Sequence, residues 1–287
     1  MASSLNLQHL DSFNAIVAPE SADWAPLRYL LRNHRVAQFL QGQGYRYIQL
    51  GSWWEPTRTN DRADSSVHFT PLPELFYVLY GTTLFAPFSD RLDGLSWRRE
   101  HWRGNQNQFS NLIKTIDSQG PKFVLAHFLL PHDPYVFDRT GEFLPVERVD
   151  QRPEEENYVN QLIFTNRMLQ TTLDMVLARS KSPPIIILQA DEGPWPRRYV
   201  EQHGAFDWES ATTSELNQKM KILNSFYLPG ICHAHLYPRI SPVNTFRLIF
   251  NAYFKTHLTL LPDESFIYRK RRHPYELRNI TAQLAPR

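Results

Sequence analysis

The stretch KFVLAHFLL-PHDP, which spans Lys122–Pro134, places an apolar run directly before a cluster of polar residues. PIIIL-QA-DEGP, which spans Pro184–Pro194, has the same pattern. Short apolar runs bounded by prolines are typical of strands that are buried on both faces, as in parallel sheets. In open α/β sheets, ligands bind beyond the carboxyl ends of the strands. The sequence therefore predicts a functional sheet edge that carries His132, Asp191 and Glu192.

Strand-like and helix-like segments alternate along the rest of the chain. This alternation predicts an α/β fold, a mostly parallel sheet flanked by helices. We expect Tyr45–Leu50, Lys122–Leu130 and Pro184–Ala190 to be neighbouring or near-neighbouring strands, and Lys219–Leu228 to form a further strand. Apolar periodicity and capping residues predict helices over Arg35–Gln41, Gln106–Ile116, Glu154–Ala178 and from a serine cap at Ser241 to about Phe254.

Composition and charge exclude several classes of protein. The chain has 287 residues, of which 42% are hydrophobic, enough for a sizeable core. Its formal net charge is +2, and the short basic cluster Arg269–Arg272 is more typical of a solvated surface than of a nucleic-acid site. No apolar stretch approaches the roughly 18–20 residues that span a bilayer. We therefore expect a chain that is soluble as written and has no nucleic-acid partner.

The candidate site residues each have two interpretations. Asp191 and Glu192, followed by a glycine that frees the backbone, can offer hard oxygen ligands to one divalent cation; equally, they can form a solvated acidic turn. His127 lies within the predicted strand, where a histidine is often a hydrogen-bonded core residue. His132 lies between two prolines, where the ring is either presented to a ligand or merely exposed.

Other patterns carry less information. His203 is a weaker candidate for the same cleft, and His233 with His235 forms a histidine pair without evident partners. The glycines match neither a phosphate-binding loop nor a dinucleotide fingerprint. A nucleophile-elbow motif is also absent from the sequence.

Five segments in order resemble the sulfatase-like members of the alkaline phosphatase superfamily. The resemblance covers about residues 1–265 and is strongest between Lys122 and Phe254. It is closest to bacterial membrane-anchored sulfatase-like proteins, relatives of lipoteichoic acid synthases and phosphoethanolamine transferases. The segments are FVLAHFLLPHDPYVFDRTGEF, YVNQLIFTNRMLQTTLDMVL, PPIIILQADEGP, KMKILNSFYLPG and LYPRISPVNTFRLIFNAYF.

This resemblance implies an alkaline phosphatase-like fold and a metal-dependent hydrolase or transferase acting on phosphate or sulfate esters. Asp191 matches the aspartate of the family's Asp-His-Gly metal motif, and Glu192 stands where that motif has histidine. Two carboxylates favour Mn²⁺, with Mg²⁺ or Ca²⁺ possible, over zinc. His132 matches the histidine of a His-x-Pro element, and with His127 it is expected to bind the substrate.

The opening residues MASSLNLQHLDSF resemble the stretch that lies just after the nucleophile in such proteins. We therefore expect the nucleophile, the first strand and any membrane helices to lie upstream of Met1. Residues 1–265 would then be an N-terminally incomplete catalytic domain, and residues 266–287 a C-terminal tail. Such a chain would have negligible turnover, and a non-catalytic binding protein or a vestigial protein of the same fold is the alternative.

Overall fold

The computed structural model of the protein describes residues 1–69, 74–85, 96–202, 205–231 and 236–284. The chain divides into two compact units. Unit 1 comprises Met1–Phe39 and Pro184–Arg287, and unit 2 comprises Leu40–Pro183. His203, His233 and His235 lie outside the described residues. Within the five described ranges, none of the helices is both long and apolar enough to cross a membrane.

Unit 2 is built on a small parallel sheet of three strands, flanked by helices. β1 (Arg46–Leu50) lies in the centre and pairs in parallel with β2 (Ser65–Val67) and β3 (Lys122–Ala126). This confirms the mixed α/β class. The helices of the unit are α4 (Glu55–Arg58), α5 (Glu74–Gly81), α6 (Trp97–Lys114), α7 (Val146–Asp150) and α8 (Glu154–Arg179), and α3 (Arg35–Gly42) leads into it from unit 1.

The strand predicted over Lys122–Leu130 is shorter than expected, because β3 ends at Ala126. Beyond Ala126, a side chain from α6 supplies hydrogen bonds in place of a neighbouring strand. Gln108 of α6 is buried, and its Nε2 atom donates hydrogen bonds to the carbonyl oxygens of Leu50 and His127. The carboxyl ends of β1 and β3 are thereby capped together, and His127 becomes the first residue beyond the strand.

Unit 1 combines the first part of the chain with the last. β4 (Ile186–Gln189) pairs antiparallel with β5 (Asn224–Tyr227), and β6 (Phe266–Tyr268) pairs antiparallel with β7 (Leu277–Asn279). Ile267 of β6 and Ile280, which directly follows β7, are buried and pack in one core with Phe206, Trp208 and Leu216. The helices are α1 (Ala2–Asn6), α2 (Ala25–Arg32), α9 (Arg197–Gln202), α10 (Thr213–Met220) and α11 (Pro242–Phe254).

Two strand predictions were correct only in part, because each segment contains a strand but differs from the prediction in its pairing or its extent. Within the described part of the chain, the strand predicted at Pro184–Ala190 pairs only with β5 and is antiparallel, so it is not a parallel neighbour of β1 and β3. The strand predicted at Lys219–Leu228 begins inside α10, and only Asn224–Tyr227 is extended. A capping box at the start of α10 sets this helix, since Thr212 and Glu215 bond each other's backbone N–H groups.

Helix α11 confirms the prediction for Ser241–Phe254, but its cap differs from the expected one. Ser241 occupies the N-cap position without a side-chain cap hydrogen bond. Its backbone N–H instead donates to Asp263 at 2.7 Å. Further along α11, Phe250 packs against Phe39 with ring centroids 4.2 Å apart, which holds the N-terminal segment of unit 1 onto this helix.

His34 links the stability of unit 1 to pH. Its fully buried ring precedes α3, and Nδ1 accepts the backbone N–H of Ala37 at 3.1 Å, as an N-cap residue does. Burial lowers the pKa of His34 from its ordinary value of 6.5 to about 4. The unfolded state therefore binds more protons between these values, and stability falls as the pH falls through this range.

We expect His34→Asn to reduce this acid sensitivity, because asparagine also caps a helix and does not titrate. Protonation of His34 lowers the free energy of unfolding of the wild type by at most about 3 kcal/mol. Urea unfolding at pH 7 and pH 4.5 measures the difference, with the exposed His257→Asn as the matched control. Equal acid-induced losses in the wild type and in His34→Asn would contradict the role given to His34.

Candidate functional site

Three buried polar side chains meet just beyond the carboxyl ends of β1 and β3 in unit 2. Ser52 follows β1, Thr57 lies in α4 and His127 follows β3. Thr57 Oγ1 lies 2.8 Å from Nδ1 of His127 and 3.0 Å from Oγ of Ser52. A continuous hydrogen-bonded chain therefore occupies the sheet edge at which α/β proteins bind ligands.

The direction of this chain determines the tautomer of His127. Ser52 Oγ accepts the backbone N–H of Trp54 at 3.1 Å. If Ser52 donates its proton to Thr57, and Thr57 donates to Nδ1 of His127, each hydroxyl proton is used once. The neutral imidazole then carries its proton on Nε2, so His127 becomes a hydrogen-bond donor through that atom.

Gly51 and Gln49 hold α4 in the position that this chain needs. A Cβ atom at Gly51 would lie 1.8 Å from the carbonyl oxygen of Arg58, so only glycine permits the close approach. The buried Gln49 donates from Nε2 to the carbonyl oxygen of Thr57 at 2.9 Å. The end of β1 thus fixes the backbone on which Thr57 stands.

Both predicted histidines lie against one pair of tryptophans. The ring of Trp54 contacts His127 edge-on, with centroids 5.8 Å apart. Trp53 contacts His132 at 6.4 Å and His101 at 5.1 Å, again edge-on. The two tryptophans are 37% and 38% exposed, so this aromatic surface is open to solvent while His127 beneath it is buried.

The loop that carries His132 is held by Gln161 of α8, which is fully buried. Its Nε2 atom donates to the carbonyl oxygens of Pro131 and His132. Its Oε1 atom accepts the backbone N–H groups of Val136 and Phe137. One amide therefore satisfies both sides of the loop, a role that the sequence did not reveal.

His132 itself is exposed and paired with its neighbour. Nδ1 lies 2.7 Å from Oδ1 of Asp133, and the hydrogen bond from His132 holds the pKa of the Asp133 carboxyl below its usual range although burial opposes this. The peptide bonds Leu130–Pro131 and Asp133–Pro134 on either side are cis. The carboxylate fixes Nδ1 as the protonated nitrogen of the ring.

His101 of α6 is a member of this cluster that sequence reasoning missed. It contacts Trp53 and also Trp97, whose ring centroid lies 5.2 Å away. Burial, and to a lesser degree the charge of Arg98, lowers the pKa of His101 to about 4. The ring is thus neutral at physiological pH, and its Nδ1 has no hydrogen-bond partner among the described residues. Its spacing of four from Trp97 on one helix was the available signal.

In unit 1, Asp191 and Glu192 lie in the turn that follows β4. The backbone N–H of Gly193 donates to the carbonyl oxygen of Lys219 at 2.8 Å. A Cβ atom at Gly193 would lie 2.0 Å from the carbonyl oxygen of Gln218. Glycine is therefore required at this position by close packing against the end of α10, and not for backbone freedom as expected.

The carboxylate of Glu192 is engaged by a buried lysine. Its Oε2 atom lies 2.5 Å from Nζ of Lys219, which in turn lies 2.9 Å from the centre of the Trp195 ring. Burial lowers the pKa of Lys219 to about 8, and the charges of Glu192 and Asp191 oppose this shift. Asp191 is exposed to solvent.

As folded, these residues do not fit a divalent cation at Glu192, because a fixed ammonium group already neutralises its carboxylate. Among the residues that the structure describes, no three His, Cys, Asp or Glu side chains are grouped so as to hold a metal ion. His127 and His132 belong to unit 2, and Asp191 and Glu192 belong to unit 1. Metal binding by Asp191 and convergence of the four residues stay predictions.

Comparisons with protein-family models, with curated proteins and with solved structures find no match to this chain. The resemblance to sulfatase-like proteins therefore stays a prediction. A function can be inferred from the residues at the sheet edge of unit 2, together with that resemblance.

We expect Thr57→Val, which keeps the side-chain shape, to leave Nδ1 of His127 without its hydroxyl partner. Loss of a buried hydrogen bond of this kind costs about 1–3 kcal/mol. The ¹⁵N chemical shifts of the His127 ring report the tautomer directly, and Thr59→Val at a nearby exposed position is the matched control. Unchanged His127 shifts in Thr57→Val would contradict the proposed direction of the hydrogen-bonded chain.

Proposed function

We propose that this chain is a sulfatase-like protein that binds a phosphate or sulfate ester at the carboxyl edge of the sheet in unit 2. His127 and His132 are the residues proposed to contact the oxyanion. The hydrogen-bonded chain Ser52–Thr57–His127 is the observation that carries the proposal. With the direction Ser52 to Thr57 to His127, the ring has an N–H donor at Nε2 near a sheet edge, and preorganised donors are what an oxyanion requires.

The surroundings of His127 support an oxyanion ligand. Arg58 donates from Nη2 to the carbonyl oxygen of Trp53 at 3.0 Å, which keeps a positive charge beside the loop after β1. The exposed face of Trp53 and Trp54 offers an apolar surface for the organic part of an ester. His132 contacts Trp53 of the same pair. Its Nδ1–H is taken by Asp133, so its exposed ring donates to an oxyanion through Nε2 in the imidazolium form.

Binding without turnover is the form of the proposal that the geometry supports best. The hydroxyls of Ser52 and Thr57 are buried and engaged in orienting His127, so neither is placed as a nucleophile. Glu192 is paired with Lys219 and is not arranged as a metal ligand. Metal-dependent hydrolysis or transfer, with Mn²⁺ as the expected ion, is the second candidate, favoured by the exposure of Asp191 in the turn after β4.

We expect phenyl phosphate and phenyl sulfate to bind in isothermal titration, and His127→Gln and His132→Gln each to weaken this binding. A hydrogen bond to a charged group contributes about 1.5–3 kcal/mol, which corresponds to roughly a 10- to 100-fold loss of affinity. His257→Gln, an exposed histidine in unit 1, is the control that should bind as the wild type does. Absence of binding, or wild-type affinity in both histidine variants, would overturn the proposal.

Turnover is measured on the same esters with and without Mn²⁺. We expect negligible hydrolysis by this chain under both conditions. Robust Mn²⁺-dependent hydrolysis that is lost in Asp191→Ala would replace the binding proposal with the second candidate, because only a metal ligand explains both dependences.

A further inference from the structure

Lys219 in unit 1 has a buried ammonium group, which lies beside the turn after β4. Its side chain is only 6% exposed, at the last turn of α10. A lysine in such a position is costly unless a negative partner compensates for the lost solvation. The partner is Glu192, so the contacts of Lys219 determine whether the turn at Asp191 and Glu192 can bind a metal ion.

Two contacts hold the ammonium group of Lys219, and a third holds its backbone. Nζ of Lys219 lies 2.5 Å from Oε2 of Glu192, with which it forms an ion pair. The same Nζ lies over the ring of Trp195, 2.9 Å from the ring centroid. The backbone of Lys219 also accepts the N–H of Gly193, so the same turn is tied to both ends of the residue. Withdrawal of the side chain would break an ion pair and a cation–π contact together.

The residues around this pair leave the ammonium group little freedom to move. Trp195 stacks on Tyr199 with ring centroids 4.2 Å apart, which braces it from α9. Tyr268 of β6 lies close to Tyr199 and to Glu192, and burial, followed by the charges of these two residues, raises the pKa of its phenol. Asp191 is the second acidic group near Lys219.

From this geometry we propose that Lys219 is a built-in cation that occupies the place of a metal ion at the Asp191–Glu192 turn. The turn is then independent of divalent metal for its structure, and Glu192 is not available as a ligand while Lys219 is present. Removal of the ammonium group, with the rest of the turn intact, uncovers a site made of two adjacent carboxylates. Carboxylate oxygens of this kind are preferred ligands of hard divalent cations such as Mn²⁺.

The test is a titration of the full chain with Mn²⁺, in which electron paramagnetic resonance measures the concentration of free Mn²⁺. We expect Lys219→Met to bind Mn²⁺ at least tenfold more tightly than the wild type. The gain should vanish in the double variant Lys219→Met/Glu192→Gln. Lys221→Met, which removes an exposed lysine two residues away, is the matched control and should bind as the wild type does.

A second measurement does not depend on the folding of Lys219→Met. In the presence of EDTA, we expect Glu192→Gln to melt at a lower temperature than the wild type, because the variant leaves the buried ammonium group of Lys219 without its carboxylate partner. EDTA alone should leave the wild-type melting temperature unchanged. Glu192-dependent Mn²⁺ binding by the wild type, or a melting temperature that falls with EDTA, would overturn the proposal. Ester binding in unit 2 is measured separately, so either proposal can fail without the other.

Discussion

Loops that cross the edge of a small sheet leave backbone N–H and carbonyl groups without strand partners, and buried groups of this kind must be paired. In unit 2, three buried glutamines meet this requirement. Gln49 holds the backbone of Thr57, Gln108 caps the ends of β1 and β3, and Gln161 secures the loop around His132. The positions of His127 and His132 depend on these amides, since a glutamine can satisfy a donor and an acceptor at once.

Apolar periodicity predicted the positions of β1, α3, α8 and α11, because it reflects burial over many residues. It did not identify the most deeply buried residues of α8. The buried face of that helix is largely polar, formed by Asn157, Gln161, Phe164, Thr165 and Thr172, whereas Val159 is 42% and Ile163 is 36% exposed. A face that serves to satisfy loop backbones has no apolar signature. The partner of β4 was equally hidden, since short apolar runs do not specify the direction of pairing.

The candidate site shows the same division between local and tertiary information. His127 and His132 were predicted because they follow an apolar run, which is a local pattern. Thr57 became significant through His127, which lies 70 positions later in the chain, and His101 became significant through Trp53 in addition to the nearby Trp97. The pairing of Glu192 with Lys219, 27 positions later in the chain, likewise has no local signal, although it decides what the acidic turn can bind. Local patterns thus locate candidate groups, and tertiary contacts decide their chemistry.

Unit 1 is discontinuous in sequence, which has a consequence for the order of folding during synthesis. Ser4 bonds Gln189 across 185 residues, and Arg247 bonds the carbonyl oxygen of Leu7 across 240. Contacts of such high sequence separation carry a large loop-closure entropy, and the second of them cannot form until the ribosome has made α11. Unit 2, contiguous from Leu40 to Pro183, has all its residues much earlier. The packing of α1 against α11 must therefore wait until residues 242–254 have been made, when every residue of unit 2 is already present.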